Sequence, residues 1–341
     1  MRKGRRRAAG APTLEPMTDP KTAAVIYNPV KIDLESLQAT VAREASEAGW
    51  AETLWFETSV DDVGQEATGR ALDRGVDLVI VAGGDGTVRA VVEAVRGHDV
   101  PVALLPSGTG NLLARNLGMS LDDVPGSIRA AFTGEERRID LGMIRIERHD
   151  KTRDSHAFVV MAGLGLDAKM IANTDEGLKK KAGWAAYLKA MAASLRDKRE
   201  LHVQFRLDDD TPFHATVHTL ILANCGSLPG NVLLLPDAVL DDGLLDLLMA
   251  RPGGFFGWVR TLAKVAWTNQ VVRRTKTGRE LAGEQKSDRD LHYDTATAFT
   301  ARFSRPEEIE LDGDGFGRAV AFRAWVEPGA LRVRTAAGAI H

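Results

Sequence analysis

A single cysteine, Cys225, and three tyrosines are all that 341 residues hold of those two types. One thiol cannot close an internal disulfide, so no cross-linked scaffold is expected and a reducing compartment fits. No apolar run reaches the roughly 18 residues that a spanning helix needs, which excludes a membrane-crossing helix from the sequence. The formal charge is only -3, from 44 Lys and Arg against 47 Asp and Glu, so no overall basic field points to nucleic acid. No G-x-x-x-x-G-K-S/T run occurs, which excludes P-loop chemistry. What is left, 44% apolar and 27% charged residues, is a globular composition whose length predicts two domains.

Residues 1–20 carry five basic groups (Arg2, Lys3, Arg5, Arg6, Arg7) against Glu15 and Asp19, with three prolines. No apolar stretch follows the basic start, so a disordered terminus is expected rather than a secretory signal. From Ala23 the chain alternates short apolar runs with helical periodicity. Ala23–Tyr27, Thr53–Phe56, Val76–Ala82 and Pro101–Leu105 read as strands, and the stretches between them as helices stopped by Gly49, Gly97 and Gly118. Such alternation predicts a parallel sheet with helices on both faces, whose ligands sit beyond the carboxyl ends of the strands. From about Arg138 short strands joined by polar turns predict an antiparallel β-sandwich, interrupted by helical segments at 167–197 and 252–282. The expected division is an α/β domain over 21–137 and a sandwich over 138–330.

Two glycine-rich turns stand at strand–helix junctions. Gly83-Gly84-Asp85-Gly86-Thr87 follows an apolar strand, and glycines there let backbone N–H groups approach a phosphate with the helix dipole behind them. Asp85 would repel phosphate unless a divalent cation lies between them. Pro106-Ser107-Gly108-Thr109-Gly110-Asn111 repeats the arrangement, with Thr109 and Asn111 as caps or phosphate contacts. Both turns belong at one end of one sheet and predict a nucleotide crevice. Gly163-Leu164-Gly165 imitates a dinucleotide fingerprint, but 177–196 holds no Asp or Glu of the kind that would bind a ribose, so it is set aside.

With Asn28-Pro29, Leu105–Asn111, Ile139-Asp140-Leu141-Gly142, Pro236–Asp246 and Asp312-Gly313-Asp314, the chain resembles the diacylglycerol kinase catalytic-domain family, relatives of sphingosine kinases. The resemblance implies an NAD-kinase- or phosphofructokinase-like α/β domain and a lipid-binding β-sandwich, with residues from about 331 packing back on the first domain. It places ATP on Asn28, Thr58, the turn Gly83, Gly84, Asp85, Gly86, Thr87 and Arg89, then Thr109, Asn111 and Arg115. Asp85 is implied to organise the catalytic Mg2+, with Asp140 assisting. A second, structural Mg2+ is implied on Asp242 and the carbonyls of Val239 and Leu244. Asp314 stands at the position of the general base, where the family usually has Glu. A positioned carboxylate there can take the proton of an otherwise unreactive hydroxyl. Leu112 stands where many members carry Asp, and Val30-Lys31 replaces a usual Ser-Gly after Asn28-Pro29.

Residues 177–199 and 251–280 each carry seven basic groups against one acidic one, together with apolar stripes at helical spacing. Such helices bind anionic membrane surface when they are not simply packed on a core. The expected setting is therefore cytoplasmic, peripheral to the inner face of the membrane. The expected partner is a lipid substrate; a second copy, as a homodimer, is the protein partner considered, and nucleic acid is none. His214 and His218 share a face if both lie in one strand, and Cys225 is expected to be buried and inert. The reading is an ATP- and Mg2+-dependent kinase of diacylglycerol. The alternatives are a kinase of the same fold acting on a sphingoid base or another lipid alcohol, an NAD kinase and a catalytically silent lipid-binding protein.

Overall fold

The computed structural model describes residues 20–30, 32–108, 110–165, 200–228, 232–235, 237–251, 291–336 and 338. The expectations for Lys31, Thr109, Pro236, the N-terminal arm, the last residues and both basic helical segments lie outside these residues.

The first half runs β1 (Ala23–Tyr27), α1 (Leu34–Glu47), β2 (Leu54–Glu57), α2 (Gln65–Leu72), β3 (Leu78–Gly83), α3 (Asp85–Val95), β4 (Val102–Pro106), α4 (Leu112–Asn116) and α5 (Val124–Thr133). The strands pair in parallel in the order β2-β1-β3-β4. β1, β3 and β4 are buried along their whole length because helices cover both faces. One face packs Leu37, Val41 and Ile128 of α1 and α5, and the other packs Ala67, Val91, Val92 and Leu113 of α2, α3 and α4. Asp33 opens α1 by accepting the Ser36 N–H, and Asp123 opens α5 by accepting that of Gly126. Helix α5 has no counterpart in the sequence reading, which ended the last helix at Gly118.

The second half begins with β5 (Glu135–Glu147), β6 (Arg153–Phe158), β7 (Met161–Leu164), β8 (Leu201–Leu207), β9 (Phe213–Val217) and β10 (Thr219–Ala223). It continues through β11 (Ser227–Leu228), β12 (Val232–Leu233), β13 (Leu245–Ala250), β14 (Leu291–Ala296), β15 (Ala298–Leu311) and β16 (Asp314–Thr335). Its pairings are antiparallel, as a sandwich requires, and Phe205, Phe299 and Phe322 fill the interior. The sequence read 155–161 as one strand. It breaks at Val159-Val160, whose N–H groups are drawn to the Asp312 carboxylate instead of a neighbouring strand. Of the runs 296–303 and 307–311, Ala296 ends β14 and the rest from Ala298 forms one strand, β15, with a register shift where Pro306 offers no N–H.

Strand β16 joins the two halves. Its early part pairs with β15, and further along Val333 and Arg334 pair in parallel with Val102 and Ala103 of β4. Ile139, Leu141, Leu331 and Val333 thereby enter the same core as Val79, Val81 and Val102.

Candidate active site

Three turns meet where β3, β4 and the β15–β16 hairpin end. The first is Gly83–Thr87, which opens α3. A Cβ on Gly83 would lie 2.6 Å from the Thr87 side chain, so glycine is what lets the helix start directly on the strand. The second is Ser107–Asn111, which opens α4 with Asn111 in the left-handed region at φ 47°. Its amide side chain closes the turn on itself, with Oδ1 accepting from the Gly108 N–H at 2.9 Å and Nδ2 donating to the Gly108 carbonyl at 2.8 Å. The two turns touch backbone to backbone, because a Cβ on Gly108 would lie 2.8 Å from the Gly84 Cα.

Asp85 sits at the first position of α3. Its Oδ1 accepts the Leu112 N–H at 2.6 Å, and its Oδ2 stands so close to Gly110 that a Cβ there would collide with it. Leu112 itself is 6% exposed and packs in the core. Where many family members carry a carboxylate, this chain supplies a backbone N–H to Asp85 and a core side chain.

The third turn is the hairpin Asp312-Gly313, with φ 50° and 91°. It projects Asp314, which is exposed, over Gly86, where an added Cβ would lie 2.7 Å from Asp314 Oδ2. Burial pushes the Asp85 carboxyl up from its ordinary value, the N–H groups of Leu112 and Asn111 draw it down, and the Asp314 carboxylate pushes it up again. Two facing carboxylates beside a helix N-terminus suit a hard divalent cation that takes carboxylate and phosphate oxygens.

The other residues expected at the nucleotide lie on neighbouring elements. Asn28 follows β1, its N–H donating to the Ala82 carbonyl at 3.0 Å and its Oδ1 accepting from the Val30 N–H at 3.1 Å. Buried Thr58 follows β2, paired through its N–H with the Tyr27 carbonyl. Both lie at the carboxyl ends of parallel strands. Arg115 spends its Nε on the Gly110 carbonyl at 2.7 Å, bracing the second turn. Arg89 lies in the seam between the halves, where its guanidinium stacks on Phe316.

Asp140 lies beside the Asp241–Leu244 turn. Its two oxygens accept the N–H groups of Gly243 and Gly329, each at 2.7 Å, and its own N–H donates to the Leu240 carbonyl. Strand register decides this, since β5 runs beside the Pro328-Gly329 irregularity of β16 and delivers Asp140 to the Asp241–Leu244 turn. There the Asp242 Oδ1 accepts the Leu244 N–H at 3.0 Å, and Gly243 takes φ 76°. Burial, then the neighbouring Asp140 and Asp241, push the Asp242 carboxyl up.

The sequence reading assigned Asp312 no part. It is 5% exposed, and its carboxylate accepts three backbone N–H groups, from Val159 and Val160 at 2.8 Å and Met161 at 2.9 Å. Burial nonetheless pushes its pKa up to about 6. It fastens the hairpin that carries Asp314 to the β6–β7 junction. Nothing in the Asp-Gly-Asp-Gly run distinguishes such an anchor from an ordinary turn residue. Histidines 214 and 218 do not share a strand, since β9 ends at Val217. Among the described residues no group of three or more His, Cys, Asp or Glu could hold a metal. Cys225 is buried, and burial holds its thiol well above the ordinary value. No described helix is long and apolar enough to cross a membrane.

The chain matches known families over both halves. Residues 22–144 match the diacylglycerol kinase catalytic domain, and residues 159–335 match the YegS C-terminal NAD kinase beta sandwich-like domain. It is 26% identical over 298 residues to a diacylglycerol kinase of Bacillus subtilis, covering 86% of this chain and 90% of that one. A protein of Pseudomonas aeruginosa named as a YegS-like lipid kinase is 31% identical over 310 residues, covering 89% and 91%. In fold, the crystal structure of a diacylglycerol kinase from Bacillus anthracis superposes with a TM-score of 0.63 at 17% identity, over 94% of this chain and 98% of that one. With both halves matched in order and the two glycine turns meeting the Asp314 hairpin between them, the chain belongs to the diacylglycerol kinase catalytic-domain family of lipid kinases.

Proposed function

We propose that this protein transfers the γ-phosphoryl group of ATP to the free hydroxyl of diacylglycerol, or a lipid alcohol like it, giving a phosphatidic acid. The observation that carries the reading is the meeting of Asp314, from the sandwich, with Gly86 and Asp85 of the nucleotide turn. The α/β half supplies N–H groups and a helix N-terminus for phosphate, the sandwich supplies a carboxylate for the acceptor, and only the seam brings them together.

Asp314 accepts the proton of the lipid hydroxyl as its oxygen bonds to the γ-phosphorus. The bond from that phosphorus to the β–γ bridging oxygen breaks, and ADP leaves. Asp85 is the residue that would hold Mg2+ beside the Asp314 base, and the cation when bound would neutralise charge on the phosphate oxygens. The N–H groups of the glycine turns orient the triphosphate, and Asn28 and Thr58 flank the path of the nucleoside. Asp242, with the carbonyls of Val239 and Leu244, would hold a structural cation, with Asp140 fixing the turn. The protein meets its lipid at an anionic membrane surface through its basic segments.

Transfer of label from ATP to diacylglycerol, sphingosine, ceramide and monoacylglycerol in mixed micelles, beside NAD, tests this reading with Asp85→Asn and Asp314→Asn as controls. Labelled phosphatidic acid, lost in both variants, supports it. Label in sphingosine or NAD replaces the substrate, and no label anywhere from protein that still binds ATP refutes the kinase. Flotation with anionic liposomes at low and high salt tests the membrane contact, which absence of binding at both would refute.

A further inference from the structure

Taking Asp314 as the acceptor-side base, as proposed above, we infer that Arg89 and Phe316 form a tie across the seam that holds the Asp314 carboxylate over the nucleotide turn. Arg89 is thereby a positioning residue rather than a nucleotide contact.

The hairpin that carries Asp314 is unusually free in sequence. Within Asp312-Gly313-Asp314-Gly315-Phe316-Gly317 three of six residues are glycine, and Phe316 is the one large side chain. Residues two apart on a strand share a face, so Asp314 and Phe316 both turn toward α3. Residues three apart on a helix also share a face, so Gly86 and Arg89 both turn toward the hairpin. The two periodicities bring about two contacts in register. Asp314 stands over Gly86, and the Phe316 ring lies 4.5 Å from the Arg89 guanidinium carbon.

Arg89 is built for this place. It is 5% exposed, its NH1 lies 3.6 Å from Glu93 Oε2, and neither its Nε nor its NH1 makes a hydrogen bond. A buried guanidinium with two unbonded nitrogens is costly, and the ring face and nearby carboxylates are what offset that cost here. The ring also meets His156, with centroids 4.7 Å apart. The Phe316 carbonyl accepts from Arg148 NH1 at 2.5 Å, and Arg148 is held in turn by both oxygens of Asp154. Glu93, one turn beyond Arg89, accepts the Ala157 N–H at 2.9 Å and so fastens the same helix to β6. The helix that begins with Asp85 and the strand that begins with Asp314 are thus locked together within one turn of the two carboxylates.

The test compares Arg89→Met and Phe316→Leu with the conservative Arg89→Lys and Phe316→Tyr. It measures phosphorylation of diacylglycerol, or of whichever lipid in the panel the wild type labels, and hydrogen exchange of residues 314–317. Expected for the first pair is a fall in kcat of about tenfold to a hundredfold, the scale of a small misplacement of a reacting group, with the KM for ATP within about twofold. Exchange at 314–317 rises while that of β1 and β3 stays at wild-type level, and the conservative pair recovers part of both. Unchanged kcat with unchanged exchange overturns the tie. So does a loss in which exchange rises throughout both cores and neither conservative variant recovers anything, which is the mark of a merely structural role. A wild type that labels no lipid fails the kinase reading instead, while the exchange measurement still decides whether Arg89 and Phe316 hold the hairpin.

Discussion

Gly86 and Asp314 touch across the seam between the two halves: the place of a Gly86 Cβ is 2.7 Å from Asp314 Oδ2. The atom in the way is the far end of a side chain, so it can move with little cost to the fold. Gly86→Ala is therefore expected to fold normally and to displace the carboxylate, lowering kcat by about a hundredfold. Gly69→Ala is the control. Gly69 lies inside α2 with nothing within 4 Å of its added Cβ, so alanine there should raise stability by about 0.5–1 kcal/mol and leave activity alone. Steady-state rates beside thermal melts separate the two outcomes.

At Gly108 the obstacle is backbone rather than a flexible tip, the Gly84 Cα at 2.8 Å. Gly108→Ala must push the two glycine turns apart. The expected result is weaker ATP binding together with a stability loss of about 1–3 kcal/mol, the scale of overpacking a tight contact. Calorimetric titration with ATP and denaturant unfolding would show both; wild-type affinity would mean that the turns do not act as one surface.

Asp312 satisfies three buried N–H groups at once. Asp312→Ala orphans all three, at about 1–3 kcal/mol for each group left buried without a partner, whereas Asp312→Asn keeps one acceptor oxygen. Thermal midpoints should fall in the order wild type, Asn, Ala. Equal midpoints for the two variants would show that the carboxylate's charge, and not its acceptor count, holds the hairpin.

His156 gives the seam a pH dependence of definite sign. The Glu93 carboxylate, 3.8 Å from its Nδ1, raises its pKa above the ordinary 6.5, burial opposes this, and the hydrogen bond to Asp154 raises it further. The charged imidazole is thus favoured in the folded state. Its contribution is fully present below about pH 6.5 and is lost as pH climbs through the raised folded value. His156→Gln should therefore cost more stability at pH 6 than at pH 9. Melting curves of both proteins at the two pH values check this, and an equal cost at both would remove the histidine from the latch.

The sequence by itself determined the units: strands alternating with helices before residue 138, strands joined by polar turns after it, and two glycine turns at strand ends. These features are legible because their causes are local, a periodicity of burial and the φ, ψ demands of turns. Helix α5 escaped because its apolar face is short and begins at a Val-Pro-Gly run that reads as a loop, and it took an Asp123 cap and the β-sheet behind it to make it a helix. Tertiary structure decided which carboxylates meet. Asp242, Asp312 and Asp314 lie in turns or at a strand start, Asp85 opens a helix and Asp140 lies inside β5, and their local sequence does not say which of them meet. Register across β5 and β16 sends Asp140 to the Gly243 and Gly329 amides, and the hairpin geometry buries Asp312 while presenting Asp314 to Gly86. Helix phase, which the motif does not show, sets the Arg89 guanidinium against Phe316 in the seam. Such choices depend on residues more than 150 positions apart, as with Asp312 and Val160, and only the folded chain brings those together.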